Sequence, residues 1–228
     1  MDIQLIDNSP TGQLISYQDS LAQQKDLFQK ALEAKRQHLL PVQHHLIFNQ
    51  HHPVLTLGKH ADPHNILLSP ERLHAQGIEC YQIERGGDVT YHGPGQWTIY
   101  PIFDLEELGI GLRRYVELLE EVAINVAAKY GVKGERMHGA SGVWVDPSQR
   151  PRKLCAIGIQ ASRFVTMHGI AFNVSTPPQA FNVINPCGFT DRGVTNLSIE
   201  AQHEISMEQA KEDLIESFQE LFQRNIAL

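Results

Sequence analysis

Long apolar runs, a basic leader and a cysteine framework are all missing from this 228-residue chain. No stretch approaches the roughly 18 apolar residues that a membrane span requires, so we expect no membrane segment. The first seven residues carry no basic charge and open no apolar core, so we expect no secretory signal peptide. The three cysteines, Cys80, Cys155 and Cys187, are an odd number without metal-type spacing. This favours free thiols in a reducing cytoplasm over disulfides.

Basic charge is also scarce, because 19 Lys and Arg stand against 26 Asp and Glu, a net charge of −7. This balance argues against a nucleic acid as partner. The apolar fraction of 42% and the charged fraction of 20% are typical of a folded globular chain rather than a disordered one. The length favours one domain over two, so residues 1–228 are expected to form a single domain.

Apolar residues at helical spacing predict three amphipathic helices. The first covers residues 16–36, and the second covers residues 111–130 with Gly131 as its C-cap. The third begins with a capping box formed by Ser206 and Gln209 and buries an apolar stripe that ends near Phe222.

Short apolar runs between these helices predict strands. They lie at residues 45–49, 54–57, 98–103, 142–145, 156–160 and 169–174, with a less clear one at 188–195. Residues 134–142 and 146–152 are predicted loops. Because only one long helix separates the central strands, a mixed α/β (α+β) sheet flanked by helices is favoured over a Rossmann fold.

Glycine is concentrated in residues 85–96, where four glycines and Pro94 stand among Arg85, Thr90, His92 and Gln96. Glycine lets a ligand approach the main chain closely. The backbone N–H groups of such a loop can hold a carboxylate, a phosphate or a thioester carbonyl. The segment matches neither the dinucleotide fingerprint nor the P-loop. The alternative interpretation is a tight turn between two strands. Such a turn would not need four glycines together with Arg85, Thr90, His92 and Gln96.

A thiol beside a proton acceptor is the second chemical feature. Cys187 lies between Pro186 and Gly188 at a turn-like position, whereas Cys155 and Cys80 lie in strand-like runs typical of buried, inert cysteines. A thiol attacks as its thiolate and needs a neighbouring base or cation. Lys153 opens an apolar strand and is one candidate, against the alternative of a solvated lysine at a strand end. His92 and His168 are rival bases, and the sequence does not choose among the three.

Twelve histidines raise the alternative of a metal site, with six of them between residues 44 and 64. No cysteine lies among those six at the spacing that a structural zinc site normally has. We therefore expect neither a metal nor another cofactor.

The chain resembles a known family, the octanoyltransferases of lipoate biosynthesis. Five segments carry the resemblance in order, namely residues 53–58, 85–96, 153–158, 168–174 and 186–195. The similarity extends over about residues 14–222, and the segment R-G-G-x-x-T-x-H-G-P-G-Q is highly specific. Two departures, at residues 97–99 and at Cys155, are expected to alter the acyl tunnel at most.

The resemblance implies a cytoplasmic enzyme with the biotin/lipoate protein ligase fold, which is related to class II aminoacyl-tRNA synthetases. The family's catalytic cysteine and lysine fall on Cys187 and Lys153. Its substrate contacts fall on Arg85, Gly86, Gly87, Asp88, Val89, Thr90, Tyr91 and His92, on Ala156, Ile157 and Gly158, and on Gly169, Ile170 and Ala171.

The implied reaction is the first step of endogenous protein lipoylation. Octanoyl-acyl carrier protein is the implied donor. The implied acceptors are lysines in the lipoyl domains of 2-oxoacid dehydrogenase E2 subunits and in the glycine cleavage H protein.

Three other functions remain open. An ATP-dependent biotin or lipoate ligase of the same fold would form an adenylate and need no cysteine nucleophile. A catalytically idle protein would bind an acyl carrier without a covalent adduct. An amidotransferase would take the acyl group from a lipoyl or octanoyl amide.

Overall fold

The computed structural model describes residues 2–185 and 193–227. Its strands are β1 (Ile3–Asp7), β2 (Leu14–Ile15), β3 (His44–His51), β4 (Val54–Leu57), β5 (Glu79–Gln82), β6 (Val89–His92), β7 (Gln96–Ile102), β8 (Glu135–Met137), β9 (Ala140–Val145), β10 (Arg152–Ser162), β11 (Val165–Asn173), β12 (Gly193–Val194) and β13 (Ile226–Ala227). The α-helices are α1 (Tyr17–Arg36), α2 (Pro70–Ala75), α3 (Leu112–Lys129), α4 (Leu197–Ala201) and α5 (Met207–Phe222). Two 3-10 helices cover Pro63–Asn65 and Pro178–Val183. No helix among the described residues is long and apolar enough to cross a membrane.

A large mixed sheet and a small one organise the chain. The large sheet has the order β13-β1-β3-β7-β11-β10-β9-β8, with β2 beside β3 and β12 beside β10. Its β1 and β3 run parallel, and its central strands β3, β7, β11 and β10 run antiparallel. The small sheet has the order β5-β4-β6. The predicted class, a mixed sheet with flanking helices, is confirmed.

The three predicted long helices form within a residue or two of their expected ends. Ser16 caps α1 by accepting a hydrogen bond from the backbone N–H of Gln18 at 3.2 Å. Gly111 precedes α3, and Gly131 follows it with φ of +72°. At α5 the Ser206 hydroxyl accepts from the Gln209 backbone N–H at 3.0 Å, which is the half of the predicted capping box that the structure contains. Local capping chemistry thus set these boundaries.

Helices cover both faces of the large sheet. Helices α3 and α5 pack together and bury one face, where Val122, Leu214 and Phe218 are fully buried with Ile99 of β7. Helix α1 covers the other face, where Phe28 packs with Tyr100. Successive residues of β7 therefore enter opposite cores, as the two-residue period of a strand requires.

The small sheet packs against the second 3-10 helix. Leu55, Val89 and Tyr91 share an apolar cluster with Phe181 and Val183. Val194 of β12, the strand beside β10, packs against the same cluster, and residues of both sheets line one cavity.

Two predicted loops contain strands. Residues 89–92 form β6, because Val89 and Tyr91 point into the apolar cluster and their side chains favour strands. Residues 93–95 form the tight turn between β6 and β7, closed by the Gln96 N–H and the Gly93 carbonyl at 3.3 Å. The glycine-rich loop is therefore limited to residues 85–88.

The predicted loop 134–142 likewise contains β8 and the start of β9. Of the less clear strand 188–195, residues 193–194 form β12, and residues 186–192 lie outside the described residues.

Candidate active site

Segments distant in the sequence meet in one cavity between the two sheets. It contains about 800 Å³ of space free of atoms, part of it open to solvent. Of the predicted residues, Arg85, Gly87, Asp88, Val89, Thr90, His92, Lys153, Ala156, Ile157, Gly158, Gly169, Ile170 and Ala171 line it.

Three predicted site residues are placed differently. Gly86 does not line the cavity, and its N–H donates to the Ile159 carbonyl at 2.9 Å. Tyr91 turns away and packs edge-on against Phe181, with ring centroids 5.3 Å apart. Cys187 lies outside the described residues.

Other lining residues were missed, among them Tyr17, Ile83, Tyr100, Ser141, Asn173, Phe181 and Val194. Asn173 and Val194 lie within the segments 168–174 and 186–195 but were not singled out, whereas the other five lie outside the motifs and reach the cavity through tertiary packing. The residues at the two sequence departures, Trp97 and Cys155, are buried elsewhere and do not line the cavity.

The glycine-rich loop lies directly on β10. A Cβ atom placed on Gly158 would lie 2.8 Å from Arg85 Cδ and 3.0 Å from the Gly86 carbonyl oxygen. Gly87 has φ of +87°, a left-handed conformation that glycine adopts without strain. Glycine at 87 and 158 therefore allows the loop to approach the strand.

Arg85 carries a charge into the interior, since only 8% of the residue is exposed. Its Nη2 donates to the Thr56 carbonyl at 2.7 Å and to Thr56 Oγ1 at 3.0 Å, and its Nη1 donates to the Gly86 carbonyl at 2.9 Å. A buried guanidinium needs such acceptors to offset its lost hydration. The side chain is thus held in place along the cavity wall.

Both candidate histidine bases are buried and weakly basic. Burial lowers the pKa of His92 to about 3, and the neighbouring His51 and Arg85 add to the shift. Burial, together with the Arg85 charge, lowers the pKa of His168 to about 3. Both imidazoles are therefore neutral near pH 7, and a base this weak takes up a thiol proton poorly.

Lys153 is buried, with 8% of the residue exposed. Its Nζ lies 4.5 Å from the centre of the Trp144 ring, the residue paired with it on β9. A cation over an indole face is stabilised by the ring quadrupole. Lys153 is also paired with Val194 of β12. The alternative of a solvated lysine at a strand end does not describe this side chain.

The two described cysteines differ in exposure. Cys155 is fully buried, and burial raises the pKa of its thiol, so it remains protonated and inert. Cys80 is exposed on the edge strand β5, and partial burial raises the pKa of its thiol as well. Neither lines the cavity.

The clustered histidines have separate roles. His44 packs against Phe103 and accepts from the Asp104 backbone N–H through Nε2, and His51 Nε2 bonds the Tyr100 hydroxyl at 2.9 Å. Within residues 2–185 and 193–227, no group of three His, Cys, Asp or Glu side chains is arranged to hold a metal ion.

The chain matches a known family and several named relatives in sequence. The family described as lipoyl protein ligase A/B catalytic domain matches residues 16–219. The chain is 51% identical over 213 residues to an octanoyltransferase of Porphyromonas gingivalis, with 92% of this chain and 42% of that longer relative covered. It is 48% identical over 210 residues to an octanoyltransferase of Parabacteroides distasonis, covering 91% of this chain and 95% of the relative.

Solved structures share the fold at low sequence identity. Lipoate-protein ligase A bound with ATP superposes with a TM-score of 0.71 at 14% identity, covering 100% of this chain and 88% of that one. A bi-partite lipoate protein ligase from Thermoplasma acidophilum superposes with a TM-score of 0.68 at 13% identity, covering 100% of this chain and 87% of that one. The lipoate protein ligase architecture expected from the resemblance is therefore present.

Proposed function

We propose that this chain, which belongs to the lipoyl protein ligase A/B catalytic-domain family and within it to the octanoyltransferases, transfers an octanoyl group to a lysine of a lipoyl domain. Octanoyltransferases are acyltransferases, and the proposed donor is octanoyl-acyl carrier protein. The observation that carries the proposal is Lys153, buried in a cavity that it shares with the glycine-rich loop and the 156–158 strand segment. The implied acceptors are the lipoyl domains of 2-oxoacid dehydrogenase E2 subunits and the glycine cleavage H protein.

Cys187 is the proposed nucleophile and Lys153 the proposed acid and base. The thiol proton of Cys187 passes to Lys153, and the thiolate attacks the thioester carbonyl carbon. The bond from that carbon to the carrier sulfur breaks, and the carrier thiolate takes the proton from Lys153. An octanoyl thioester on Cys187 remains.

The second half transfers the acyl group to the acceptor. The lysine amine of the lipoyl domain attacks the enzyme thioester, an amide bond forms and the Cys187 thiolate leaves. The proton lost by the amine goes to Lys153 and then to the thiolate. The two histidines are poor alternatives, because burial lowers the pKa of His92 and of His168 to about 3.

The backbone of β10 is a proposed source of oxyanion donors. Pairing with β9 ends at Cys155, and residues 156–158 continue along the cavity. Backbone N–H groups aimed at the developing negative charge of a tetrahedral intermediate stabilise it, and one such donor is typically worth about 2.7–4 kcal/mol.

The acyl chain is proposed to lie along the apolar part of the cavity wall. Ile83, Val89, Ile157, Ile170 and Phe181 contribute apolar surface there. The six methylene groups and the terminal methyl, at about 0.8 kcal/mol each, give roughly 6 kcal/mol at most, enough to favour an octanoyl chain over much shorter ones. Since the donor thioester supplies the driving force, the proposed reaction needs no ATP.

A transfer assay tests this function. The enzyme is incubated with octanoyl-acyl carrier protein and an isolated lipoyl domain, and the intact mass of the domain is followed. We expect one octanoyl group per lipoyl domain without ATP, and no modification with free octanoate plus ATP. Modification only in the second mixture would instead identify an ATP-dependent ligase. Modification from an octanoylated H protein but not from the carrier would identify an amidotransferase.

A further inference from the structure

A continuous line of buried hydrogen bonds begins at the glycine-rich loop. Arg85 Nη2 donates to Thr56 Oγ1 at 3.0 Å, and Thr56 Oγ1 lies 3.2 Å from His92 Nε2. His92 Nδ1 in turn lies 2.7 Å from Gln96 Oε1. All four side chains are buried, so water does not compete for these bonds.

The line continues to the strand that carries Lys153. Gln96 Nε2 donates to Asn173 Oδ1 at 2.9 Å, and Asn173 Nδ2 donates to the Thr195 carbonyl at 3.0 Å. The Thr195 backbone N–H then donates to the Lys153 carbonyl at 3.0 Å. We call this line, from Arg85 through Thr56, His92, Gln96, Asn173 and Thr195 to Lys153, the relay.

Each hydrogen bond of the relay has a defined donor and acceptor, and the donors all point from Arg85 toward Lys153. The carbonyl oxygens of Tyr91 and Thr195 only accept, and they receive the amide N–H groups of Gln96 at 3.3 Å and of Asn173 at 3.0 Å. The carboxamide oxygen of Gln96 must therefore face His92, which places a proton on His92 Nδ1. His92 Nε2 then accepts from the Thr56 hydroxyl, and Thr56 Oγ1 accepts from Arg85.

A second link joins the same loop to a different part of the chain. Asp88 Oδ2 accepts from Asn65 Nδ2 at 2.6 Å, and the Asn65 carbonyl accepts from the Asn185 backbone N–H at 2.7 Å. Asn185 and the strand that contains Gly193 are the described residues on either side of residues 186–192, within which Cys187 falls in the sequence. The glycine-rich loop is thus bonded to the chain on both sides of that segment.

Thr195 is fixed by more than the relay. Its hydroxyl donates to Glu200 Oε1 at 2.7 Å, and Arg152 Nε donates to the same carboxylate oxygen at 2.8 Å. Arg152 precedes Lys153 on β10 and is paired with Gly193. A buried polar network in which every member is satisfied specifies one geometry, whereas apolar side chains of similar volume would fill the space without setting an orientation.

We propose that Gln96, Asn173 and Asn65 are positioning residues for the transfer reaction. They hold Lys153 and both flanks of the Cys187 segment in register with the glycine-rich loop, where the acyl thioester is proposed to bind. The alignment of the reacting groups then depends on these bonds. This inference rests on the proposed function.

Isosteric substitutions test it. Asn173→Asp keeps the acceptor for Gln96 but removes the donor to Thr195, and Gln96→Glu keeps the acceptor for His92 but removes the donor to Asn173. Asn65→Ala cuts the second link at a half-buried position, where misfolding is not expected. The control is Asn49→Asp, an equally buried asparagine on β3 that lies outside both links and whose Oδ1 accepts from Asn8 Nδ2 at 2.8 Å.

The readouts are kcat and KM for octanoyl-acyl carrier protein, the pH profile of acyl-enzyme formation, and the thermal midpoint. We expect kcat to fall at least tenfold in the two relay variants and about threefold or more in Asn65→Ala, with KM changed less than twofold. The pH profile of the relay variants should shift, because it reports the ionisation of the reacting groups. Asn49→Asp should retain the wild-type kcat and profile among its folded molecules.

Three results would overturn the inference while the wild type remains active. These are a wild-type kcat in all three variants, an increase in KM alone, or a loss of activity no larger than that of Asn49→Asp at equal loss of thermal stability. A folded wild type that transfers no octanoyl group would instead overturn the proposed function, and this inference with it.

Discussion

The substitution Gly158→Ala adds one methyl group and tests how closely the glycine-rich loop must lie on β10. In Gly158→Ala the new Cβ would lie 2.8 Å from Arg85 Cδ, and ordinary contact begins at 3.4 Å, so the arginine or the strand must move by about 0.6 Å. Arg85 cannot yield freely, because Thr56 holds its guanidinium through two bonds. Overpacking of this kind typically costs about 1–3 kcal/mol of folding free energy.

The same displacement should reduce catalysis. A misplacement of about 1 Å can lower a rate by about a hundredfold, so we expect kcat/KM of Gly158→Ala to fall by about tenfold to a hundredfold. For a chain of this size the thermal midpoint should fall by about 2–4 °C for each kcal/mol lost. Both quantities are measured with the octanoyl transfer assay and a thermal melt.

Gly86→Ala is the matched control from the same loop. Its added Cβ would meet only the Ile159 carbonyl oxygen, at 3.6 Å, which is ordinary contact. We expect near wild-type activity and stability for this variant. Wild-type activity in Gly158→Ala, or equal losses in the two variants, would refute the idea that close loop packing maintains the site.

Three further predictions concern single side chains. Lys153→Arg keeps a positive charge but stays protonated at all working pH values, so kcat should fall by about a hundredfold or more while the folded fraction seen by circular dichroism is retained. Cys155→Ala should transfer octanoyl at the wild-type rate, because Cys155 is buried away from the cavity; a large loss of kcat at normal stability would contradict this. The pKa of His168 is lowered from 6.5 to about 3, so the unfolded chain binds its proton first and the stability contribution of this group is lost as pH falls from about 6.5 toward 3. His168→Asn, which suits the left-handed φ of +59°, should therefore lose less stability than wild type between pH 7 and pH 4 in denaturant titrations, and an equal loss would contradict the assignment.

The sequence predicts best where local rules decide the structure. The hydroxyls of Ser16 and Ser206 cap two of the predicted helices, and short apolar runs predict the central strands β3, β7, β10 and β11 of the large sheet. It fails at β6, where the surrounding glycines suggested a continuous loop although Val89 and Tyr91 favour a strand. Tertiary packing against Phe181 decides that case.

For the site, motifs identify residues but not their arrangement. Arg85, Lys153 and Gly158 were selected from the sequence and line one cavity. Tyr17, Tyr100 and Phe181 were missed because their places in the cavity depend on contacts between distant elements. The weak basicity of His92 and His168 follows from their burial, which the sequence does not contain.

We propose above that an acyl-enzyme forms on Cys187 with the help of Lys153. The most direct measurement is the intact mass of the enzyme after brief incubation with octanoyl-acyl carrier protein, for wild type, Cys187→Ser and Lys153→Ala. We predict a gain of one octanoyl group on wild type, removed by hydroxylamine and mapped to the Cys187 peptide, with much slower labelling of Lys153→Ala and no thioester on Cys187→Ser. Transfer to a lipoyl domain at the wild-type rate by Cys187→Ser, without any adduct on wild type, would contradict an acyl-enzyme on Cys187.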